Sequence, residues 1–374
     1  MSAIDATQLV LTRCRELGFA LAGVCDAQPI DRPGAYLNWI EAGKHGEMTY
    51  MARNVQLRTD PAAMVPGAKA IICVADRHHV ETSKGRRVER AKGEGVVGPR
   101  SSALGRIARY ARGDDYHKVI RRRLIALCDE LREMFPDVTF RACVDTAPVM
   151  ERGHAQRAGL GAIGKHTLLI ERGVGSYLLL GEIITTLALE PTSPAEDDPC
   201  GSCTRCIDAC PTDAITPWSV DATKCISYLT IEHRGVIDEK YHDAMGAWVF
   251  GCDICQEVCP HNQRTRAKRQ ADVFPAYEPM REEFDLLAVL HWTEDDRRRA
   301  FARSAMKRAK LHMMHRNAAI AAGNALTKGH GVSNSEVGRA LSERLRAMAE
   351  SADHPQSVRQ AARSALRRAG MGDR

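Results

Sequence analysis

The sequence predicts an α+β protein of several domains, from its length, its two kinds of hydrophobic periodicity and one cluster of cysteines. With 374 residues and 44% hydrophobic content, the chain is long enough for two or three domains with buried cores. Helix and strand patterns mix before Glu190, eight of the thirteen cysteines lie between Cys200 and Cys259, and the pattern is helical beyond Glu278. We therefore divide the chain into three regions: 1–190, 191–265 and 266–374.

The first region has the helix and strand patterns of an α/β domain. Apolar residues recur at helical spacing over 5–18, and the stretch 111–135 predicts a long amphipathic helix that buries Leu124 and Leu127. Short apolar runs predict four strands: 70–74, 140–144, 167–170 and 177–180.

Three glycines in this region have the spacing of a dinucleotide-binding turn. Gly159, Gly161 and Gly164 spell G-x-G-x-x-G. That turn requires a strand before it and a helix after it, whereas here a helical stretch precedes the glycines and a strand pattern follows. We exclude a dinucleotide site, although the glycines could still let the backbone approach a large flat ligand.

The cysteines form a ferredoxin pattern. CGSCTRCIDACP has the C-x2-C-x2-C-x3-C-P spacing of a bacterial [4Fe-4S] run, and GCDICQEVCP supplies a second run in which Val249 occupies the place of the first cysteine. Cys225 replaces that ligand, and the cross-over of such runs predicts two sets: Cys200, Cys203, Cys206 and Cys259; Cys210, Cys225, Cys252 and Cys255. Zinc is the alternative, since it also uses C-x2-C pairs, but the third close cysteine and the Cys-Pro endings favour two [4Fe-4S] clusters.

Cysteine use also predicts the compartment. The N-terminus carries Asp5 and Arg13 where an export signal would be apolar, and the longest apolar run, 176–189, is interrupted by Glu182. We expect a cytoplasmic protein with reduced thiols and no membrane span. The remaining cysteines are expected to be mostly buried: Cys14, Cys25, Cys73, Cys128 and Cys143.

Asp145 is the candidate acid of the first region. It follows the apolar strand at 140–144, where partial desolvation would give the raised pKa of a proton donor. The alternative is a helix N-cap for the ERGHAQRAG stretch that follows.

The third region predicts stacked helices with a basic surface. Ala-rich helical segments at 313–327, 335–350 and 355–369 recur about every 20 residues, as in an α-solenoid of the HEAT type. The block 297–316 has eight Lys or Arg and no acid, and 264–269 adds RTRAKR. Such blocks bind phosphates or form a solvated helix face.

These segments together resemble the epoxyqueuosine reductase (QueG) family, cobalamin-dependent iron-sulfur enzymes of tRNA modification. The resemblance rests on five features: ARYARGDDYHKVI at 108–120, the stretch 144–170, the eight cysteines, CISYLTIEHRG at 225–235 and GCDICQEVCPHN at 251–262. It covers most of the chain. The chain departs from the family at 76–102, and it lacks the D-x-H-x-x-G cobalt motif, since Asp76-x-His78 is followed by Glu81.

The resemblance implies the activity and the site residues. The reaction is the final step of queuosine biosynthesis, in which epoxyqueuosine at the wobble position of tRNA anticodons is reduced to queuosine by cob(I)alamin fed by the two clusters. Asp145 is implied as the proton donor. The N-terminal domain is implied as the cobalamin-binding domain, with corrin contacts at Arg58, Tyr110, Cys143, Asp145, Ser227 and Asp253.

The implied partners are a tRNA anticodon stem-loop and an external low-potential electron donor, and we expect a monomer. Basic residues are expected to contact RNA phosphates: Arg234, Arg264, Arg266, Arg297, Arg298, Arg299, Arg303, Lys307 and Arg308. A cobalamin-dependent reductive dehalogenase is the alternative with the same cofactors, although those enzymes usually carry an export signal and lack a basic helical tail. An electron carrier or an RNA-binding protein with structural clusters is the third possibility.

Overall fold

The computed structural model describes residues 1–79, 103–195, 198–263, 273–327 and 332–371. The strands in these residues are β1 (Leu21–Asp26), β2 (Ala70–Arg77), β3 (Leu104–Ile107), β4 (Phe140–Cys143), β5 (Ala162–Ile163), β6 (Leu169–Ile170), β7 (Leu178–Thr185), β8 (Ile215–Thr216), β9 (Ser219–Val220), β10 (Trp248–Phe250) and β11 (Glu283–Asp285). The α-helices of the N-terminal part are α1 (Ala3–Glu16), α2 (Pro33–Glu41), α3 (Thr49–Ala52), α4 (Val55–Thr59), α5 (Pro61–Met64), α6 (Tyr116–Met134) and α7 (Glu151–Arg157). Those that follow are α8 (Arg205–Asp208), α9 (Ile226–Ile231), α10 (His242–Met245), α11 (Ile254–Glu257), α12 (Pro260–Gln263), α13 (Leu286–His291), α14 (Glu294–Ala300), α15 (Leu311–Thr327), α16 (Glu336–Glu350) and α17 (Gln356–Arg368).

The N-terminal part is built on a four-stranded antiparallel sheet with the order β1-β2-β7-β4. Alternate residues of β2 enter two different cores, because successive side chains of a strand point to opposite faces. Ile72 and Val74 pack with α1 and α6, whereas Ile71 and Cys73 pack with α7. The sheet is therefore covered by helices on both faces.

The structure confirms the predicted helices of this region and three of its strands at nearly full length. α1 overlaps the predicted stretch 5–18 and begins two residues before it, α6 falls within 111–135, and β2, β4 and β7 contain or overlap the predicted apolar runs. The run at 167–170 forms only the two-residue strand β6, which pairs with β5. The sequence analysis missed the buried edge strand β1.

The G-x-G-x-x-G glycines make room for the chain itself. They follow α7 and precede β5, so the exclusion of a dinucleotide turn is confirmed. A Cβ on Gly159 would lie 2.3 Å from the carbonyl oxygen of Ser193, and one on Gly161 would lie 2.5 Å from that of Ile170. At Gly164 the corresponding space is filled by the Ile170 side chain, so the expectation that these glycines could face a flat ligand is wrong.

A second sheet joins the three sequence regions. Its strand order is β10-β3-β11, with one strand from each of the regions 1–190, 191–265 and 266–374. The largest core continues across this sheet and contains Ile107, Trp248, Phe284 and Met314. The cysteine-rich region therefore shares one hydrophobic core with its neighbours on both sides.

The helices of the third region form where the sequence predicts them. α15, α16 and α17 match the three Ala-rich segments, and α15 is the one most completely buried. A Cβ on Gly323 would meet Cβ of Ala365 at 2.7 Å, so the glycine allows α15 and α17 to pack closely. Among the described residues, no helix is long and apolar enough to cross a membrane.

Buried polar side chains of α15 fix this helix to the cysteine-rich region. The Arg316 guanidinium donates hydrogen bonds to the carbonyl oxygens of Leu229, His233 and Gly235 at 2.7–2.8 Å. Asn317 Nδ2 donates to two further carbonyls, those of Thr230 and Val249, at 2.9 Å. These bonds satisfy carbonyls at the end of α9 and beyond it that would otherwise be buried without partners.

Candidate functional site

Asp145 lies two residues beyond β4 in a strained backbone conformation. Its backbone φ is 24°, a value that residues other than glycine rarely adopt. It does not cap α7, whose N-cap is Met150 without a side-chain hydrogen bond, so the N-cap alternative is wrong. Backbone strain of this kind persists only where the surroundings enforce it, and it is common at active sites.

A histidine from α6 holds the Asp145 carboxylate. His117 Nε2 lies 3.0 Å from Oδ2 of Asp145, and its Nδ1 lies 2.8 Å from Oδ1 of Asp115. The Tyr116 ring stacks on His117 at 4.0 Å between centroids, and its hydroxyl also hydrogen bonds to Asp145. The first turn of α6 thus presents two side chains to one carboxylate.

A glutamate from α7 holds the backbone of the same residue. The Asp145 N–H donates to Oε1 of Glu151 at 2.5 Å. Burial raises the pKa of Glu151 well above its ordinary value, and the nearby charges of Asp145 and Glu182 add to that effect. Burial thus favours the neutral form of Glu151, whereas the Asp145 N–H that its carboxylate accepts favours the charged form.

The Asp145 pKa moves in the direction opposite to the expectation. Burial favours the neutral acid, but the hydrogen bond and charge of His117, with help from Tyr116 and Arg308, outweigh it and lower the pKa. For His117, burial opposes the charged form, but the bonds to Asp115 and Asp145 raise the pKa to about 9. The expected raised pKa of Asp145 is wrong. Asp145 and His117 titrate as a coupled pair, in which the proton is held on His117.

The rim beside Asp145 combines charged and aromatic side chains. Arg308 Nε lies 2.5 Å from Oε1 of Glu232, and the guanidinium is 4.9 Å from the Tyr50 ring centroid. Arg308 and Tyr50 are both close enough to Asp145 to interact with its charge, and about half of the Asp145 side chain, 54%, is exposed to solvent.

The implied corrin contacts differ in their surroundings. Arg58 is 9% exposed and donates to the Tyr50 carbonyl at 3.3 Å, while its buried Nε has no hydrogen-bond partner in the residues that the structure describes. Tyr110 meets the Tyr116 ring edge-on at 6.1 Å. Ser227 lies at the start of α9, where its N–H donates to the Cys225 sulfur. Arg58 and Tyr110 are thus close to the Asp145 neighbourhood.

Two of the implied contacts do not fit that role. Asp253 is 1% exposed and accepts hydrogen bonds from the backbone and the guanidinium of Arg109 at 2.8 and 3.2 Å, so it holds Arg109 rather than a ligand. Cys143 is 2% exposed, with its sulfur 3.7 Å from Sδ of Met64 in the core below α7. Both residues are sequestered inside the protein.

The first predicted cysteine set surrounds an open cavity. Cys200, Cys203, Cys206 and Cys259 all line a cavity of about 540 Å³, which also contacts Arg172, Arg205 and His261. The backbone N–H of Lys165 donates to the Cys200 sulfur at 3.4 Å. Amide donors of this kind stabilise thiolates that ligate iron.

The second predicted set lies against the largest core, with its four cysteines partly exposed. Burial raises the pKa of Cys255 well above its ordinary value, and the charges of Cys252, Cys225 and Cys206 contribute to that rise. Cys252 and Cys225 both pack against the largest core, and both are close enough to Cys210 for its charge to raise their pKa values. The sets therefore lie side by side, with Cys206 near Cys255.

The thiol arrangement suits clusters better than single ions. Within the described residues, no three Cys, His, Asp or Glu side chains converge closely enough to bind one metal ion. A tetrahedral zinc site requires four ligands at about 2.3 Å from one point. Four thiols around a cavity instead fit a larger iron-sulfur group.

Several of the basic residues proposed for RNA are engaged within the protein. Arg297 is 11% exposed and bonds to Glu294 and to the Ala309 carbonyl, so a phosphate contact does not fit it. The others are more exposed and are paired as follows: Arg298 with Asp295, Arg299 with Asp296, Arg303 with Asp114 and Arg308 with Glu232. Arg234 and Lys307 are exposed, whereas Arg264, Arg266 and residues 80–102 lie outside the described residues.

The fold and the cysteine sets define an iron-sulfur oxidoreductase. Residues 199–262 match the 4Fe-4S double cluster binding domain, and residues 58–146 match the model described as epoxyqueuosine reductase QueG, DUF1730. An epoxyqueuosine reductase of Cyclobacterium marinum is 38% identical over 85% of this chain and 97% of its own, and one of Pseudomonas aeruginosa is 39% identical over 83% of each. The chain belongs to the epoxyqueuosine reductase family.

Solved structures show the same fold. A crystal structure of epoxyqueuosine reductase with a tRNA-Tyr epoxyqueuosine-modified stem loop covers 99% of this chain and 100% of its own, with a TM-score of 0.78 and 24% identity. A structure from Streptococcus thermophilus has a TM-score of 0.75 over 97% of this chain and 99% of its own. Family membership does not favour the reductive dehalogenase alternative.

Proposed function

We propose that this chain reduces epoxyqueuosine to queuosine in tRNA. The observation that carries the proposal is the Asp145 carboxylate, held by His117 and Tyr116 at a strained turn beside a double cluster domain. Removal of the epoxide oxygen as water consumes two electrons and two protons. The chain offers a conduit for the electrons and acids for the protons.

The proton is delivered by the first turn of α6 and the residue it holds. At neutral pH His117 is protonated because Asp115 and Asp145 stabilise its charge, so the pair can protonate the oxygen that leaves the epoxide carbon. Glu151, whose pKa is raised by burial and which accepts the Asp145 amide, is a candidate for the second proton.

The residues next to Asp145 fit cobalamin. The unpartnered Nε of buried Arg58 is suited to an acceptor such as a corrin side-chain amide, and Tyr110 and Ser227 are further contacts in this proposal. Cobalamin in its reduced form supplies a strong nucleophile and reductant for the epoxide carbon. Arg58 would hold it, and Tyr50 and Tyr110 would help to exclude water from the region around Asp145.

The electrons pass through the two cysteine sets that the sequence spacing predicts. The set of Cys200, Cys203, Cys206 and Cys259 binds the outer [4Fe-4S] cluster. The set of Cys210, Cys225, Cys252 and Cys255 binds the inner one, in our proposal. Cys225 and Cys252 of the inner set pack against the largest core, and Cys225 opens α9, which leads to Glu232 beside the Asp145 rim.

The anticodon stem-loop binds on the side of the Asp145 rim. Arg308 pairs with Glu232 on that side, and Lys307 precedes it in the 3₁₀ turn Ala305–Arg308. The backbone N–H of Arg234 donates to Glu47 on the same side. Arg298, Arg299 and Arg303 are further candidates once their acidic partners release them. We keep the division into a cobalamin domain (1–190), a cluster module (191–265) and a HEAT-like tRNA-binding region (266–374), in a cytoplasmic monomer.

The test is Asp145→Asn, with exposed Asp137→Asn as the matched control. We expect Asp145→Asn to lower epoxyqueuosine reduction at least 100-fold, since general acid catalysis contributes about that much, while cluster and cobalamin absorption spectra are kept. Nucleosides from digested tRNA, separated and identified by mass spectrometry, give the rate. Wild-type turnover in Asp145→Asn would overturn the assignment.

A further inference from the structure

The mouth of the outer cysteine cavity has features of a contact surface for a second protein. This inference rests on the proposed function, because it concerns how electrons enter the chain. Trp218 lies at the turn between β8 and β9, is 51% exposed and has a φ of 58°. An exposed tryptophan in a strained turn costs stability without an evident gain to the isolated chain.

Trp218 is linked to the cluster ligands through one lysine. Its backbone N–H donates to the Lys165 carbonyl at 3.1 Å, and the Lys165 N–H donates to the Cys200 sulfur at 3.4 Å. The Lys165 ammonium donates to the carbonyls of Gly201 and Cys203 at 2.7 and 3.1 Å and lies 5.7 Å from the Trp218 ring. Two hydrogen bonds through the Lys165 backbone therefore connect the Trp218 backbone to the Cys200 sulfur.

The charges at the cavity mouth favour an acidic partner. Arg172 and Arg205 line the cavity and are exposed. Asp198 also lines it, but its carboxylate accepts the Cys200 N–H at 2.9 Å and so serves the loop itself. The cavity thus carries two exposed arginines, and Trp218 reaches the same Cys200–Cys203 loop through Lys165.

We propose that the surface formed by Trp218, Arg172 and Arg205, which we name the entry face, binds a small acidic electron-carrier protein that reduces the outer cluster. Each encounter oxidises the carrier by one electron and reduces the cluster by one. Two encounters supply the pair that the reaction consumes. Aromatic and arginine side chains dominate protein interfaces, and arginines steer acidic partners.

The second set of thiols supports this direction of flow. Cys206 of the outer set lies near Cys255 of the inner set, which packs towards the core and α9. The entry face contacts the first set through Lys165 and Cys200, whereas α9 begins next to Cys225 of the second set and leads to Glu232. In this proposal the carrier approaches the first set and the tRNA approaches the Asp145 rim.

The experiment measures the bleaching of cluster absorbance in the holoprotein by anaerobic stopped flow, with reduced flavodoxin as the carrier and dithionite as the small reductant. We expect Trp218→Ala and Arg205→Glu each to lower the second-order rate with flavodoxin about tenfold. Trp218→Phe should recover most of the rate. Exposed Arg339→Glu, on α16, is the matched control and should leave it unchanged.

The outcomes separate this inference from the proposed function. The wild-type rate should fall as salt rises from about 50 to 300 mM, and reduction by dithionite should be equal in all variants. Unchanged flavodoxin rates in Trp218→Ala and Arg205→Glu would overturn the entry face, as would an equal slowing with dithionite. If the Trp218→Ala variant loses iron, the flavodoxin rate of the Arg205→Glu variant decides between the outcomes. Among the described residues, the Arg205 guanidinium makes no hydrogen bond to a cysteine. Formation of queuosine by the wild-type protein with dithionite tests the proposed function independently.

Discussion

The substitution Asp115→Asn tests whether the α6 turn sets the protonation of the site. Asp115 provides one of the two carboxylates that raise the pKa of His117 from its ordinary 6.5 to about 9, and it also caps α6 by accepting the His117 N–H at 3.3 Å. Asparagine is an equally good N-cap, so the helix start is kept while the charge is removed. The change therefore isolates the electrostatic role.

The magnitude follows from the contact. An opposite charge at hydrogen-bond distance raises a histidine pKa by about 1 to 3 units, and because the His117 side chain is 28% exposed and Asp145 remains, we use about one unit, or about 1.4 kcal/mol. The protonated form supplies the proton, so activity is full below the pKa and declines as pH rises through it. Lowering the pKa by about one unit reduces the protonated fraction about threefold at pH 8.5, about eightfold at pH 9.5 and not measurably at pH 6.

The assay is the single-turnover rate of epoxyqueuosine reduction at saturating tRNA, with excess dithionite, from pH 5.5 to 10. The wild-type rate should decline around pH 9, and the decline in Asp115→Asn should begin about one pH unit lower. Asp129→Asn, which removes a carboxylate on the exposed face of α6 that pairs with Arg132, is the control and should match the wild type. Superimposable profiles for Asp115→Asn and wild type would refute the reasoning, as would a loss that is equal at every pH.

The remaining predictions concern stability, RNA binding and metal content. Arg316→Met leaves buried carbonyls without donors and should lower the unfolding free energy by about 3 kcal/mol or more, whereas exposed Arg339→Met should change it by less than about 0.5; thermal denaturation of both variants checks this. Lys307→Gln should reduce the slope of log binding constant against log salt concentration for tRNA by about one. Arg297→Gln should leave that slope unchanged and only destabilise α14. Binding measured between about 50 and 200 mM salt compares the two variants. Cys206→Ser should lower the iron content from about eight to about four per chain, by elemental analysis, and zinc in the wild-type protein would contradict the cluster assignment.

The sequence predicted the features that are encoded locally. Cysteine spacing is independent of tertiary structure, so both ligand sets could be proposed without coordinates. The amphipathic pattern located α6 because its apolar face repeats over five turns. β3, β10 and β11 were missed because strands of three or four residues carry no readable period, and their pairing joins segments more than 30 residues apart.

The candidate site was predicted only in part, because its residues depend on distant partners. Asp145 could be singled out, but His117 lies 28 residues earlier, and only the fold brings the two together. The expected raised pKa of Asp145 failed for that reason. Composition likewise could not distinguish Arg297, which Glu294 holds in place, from exposed Lys307. The DDYH string was the available signal, since it places a carboxylate and an imidazole on one helix start.

The sheet formed by β3, β10 and β11 has a consequence for the chain as a whole. Cutting the protein on either side of the cysteine-rich region would remove one neighbour of β3 and expose apolar side chains such as Trp248 and Phe284 to water. We therefore expect that the cysteine-rich region 191–265 does not fold as an isolated domain. Shared packing in one core fixes the position of the cysteine-rich region relative to the C-terminal helices α13 and α15–α17.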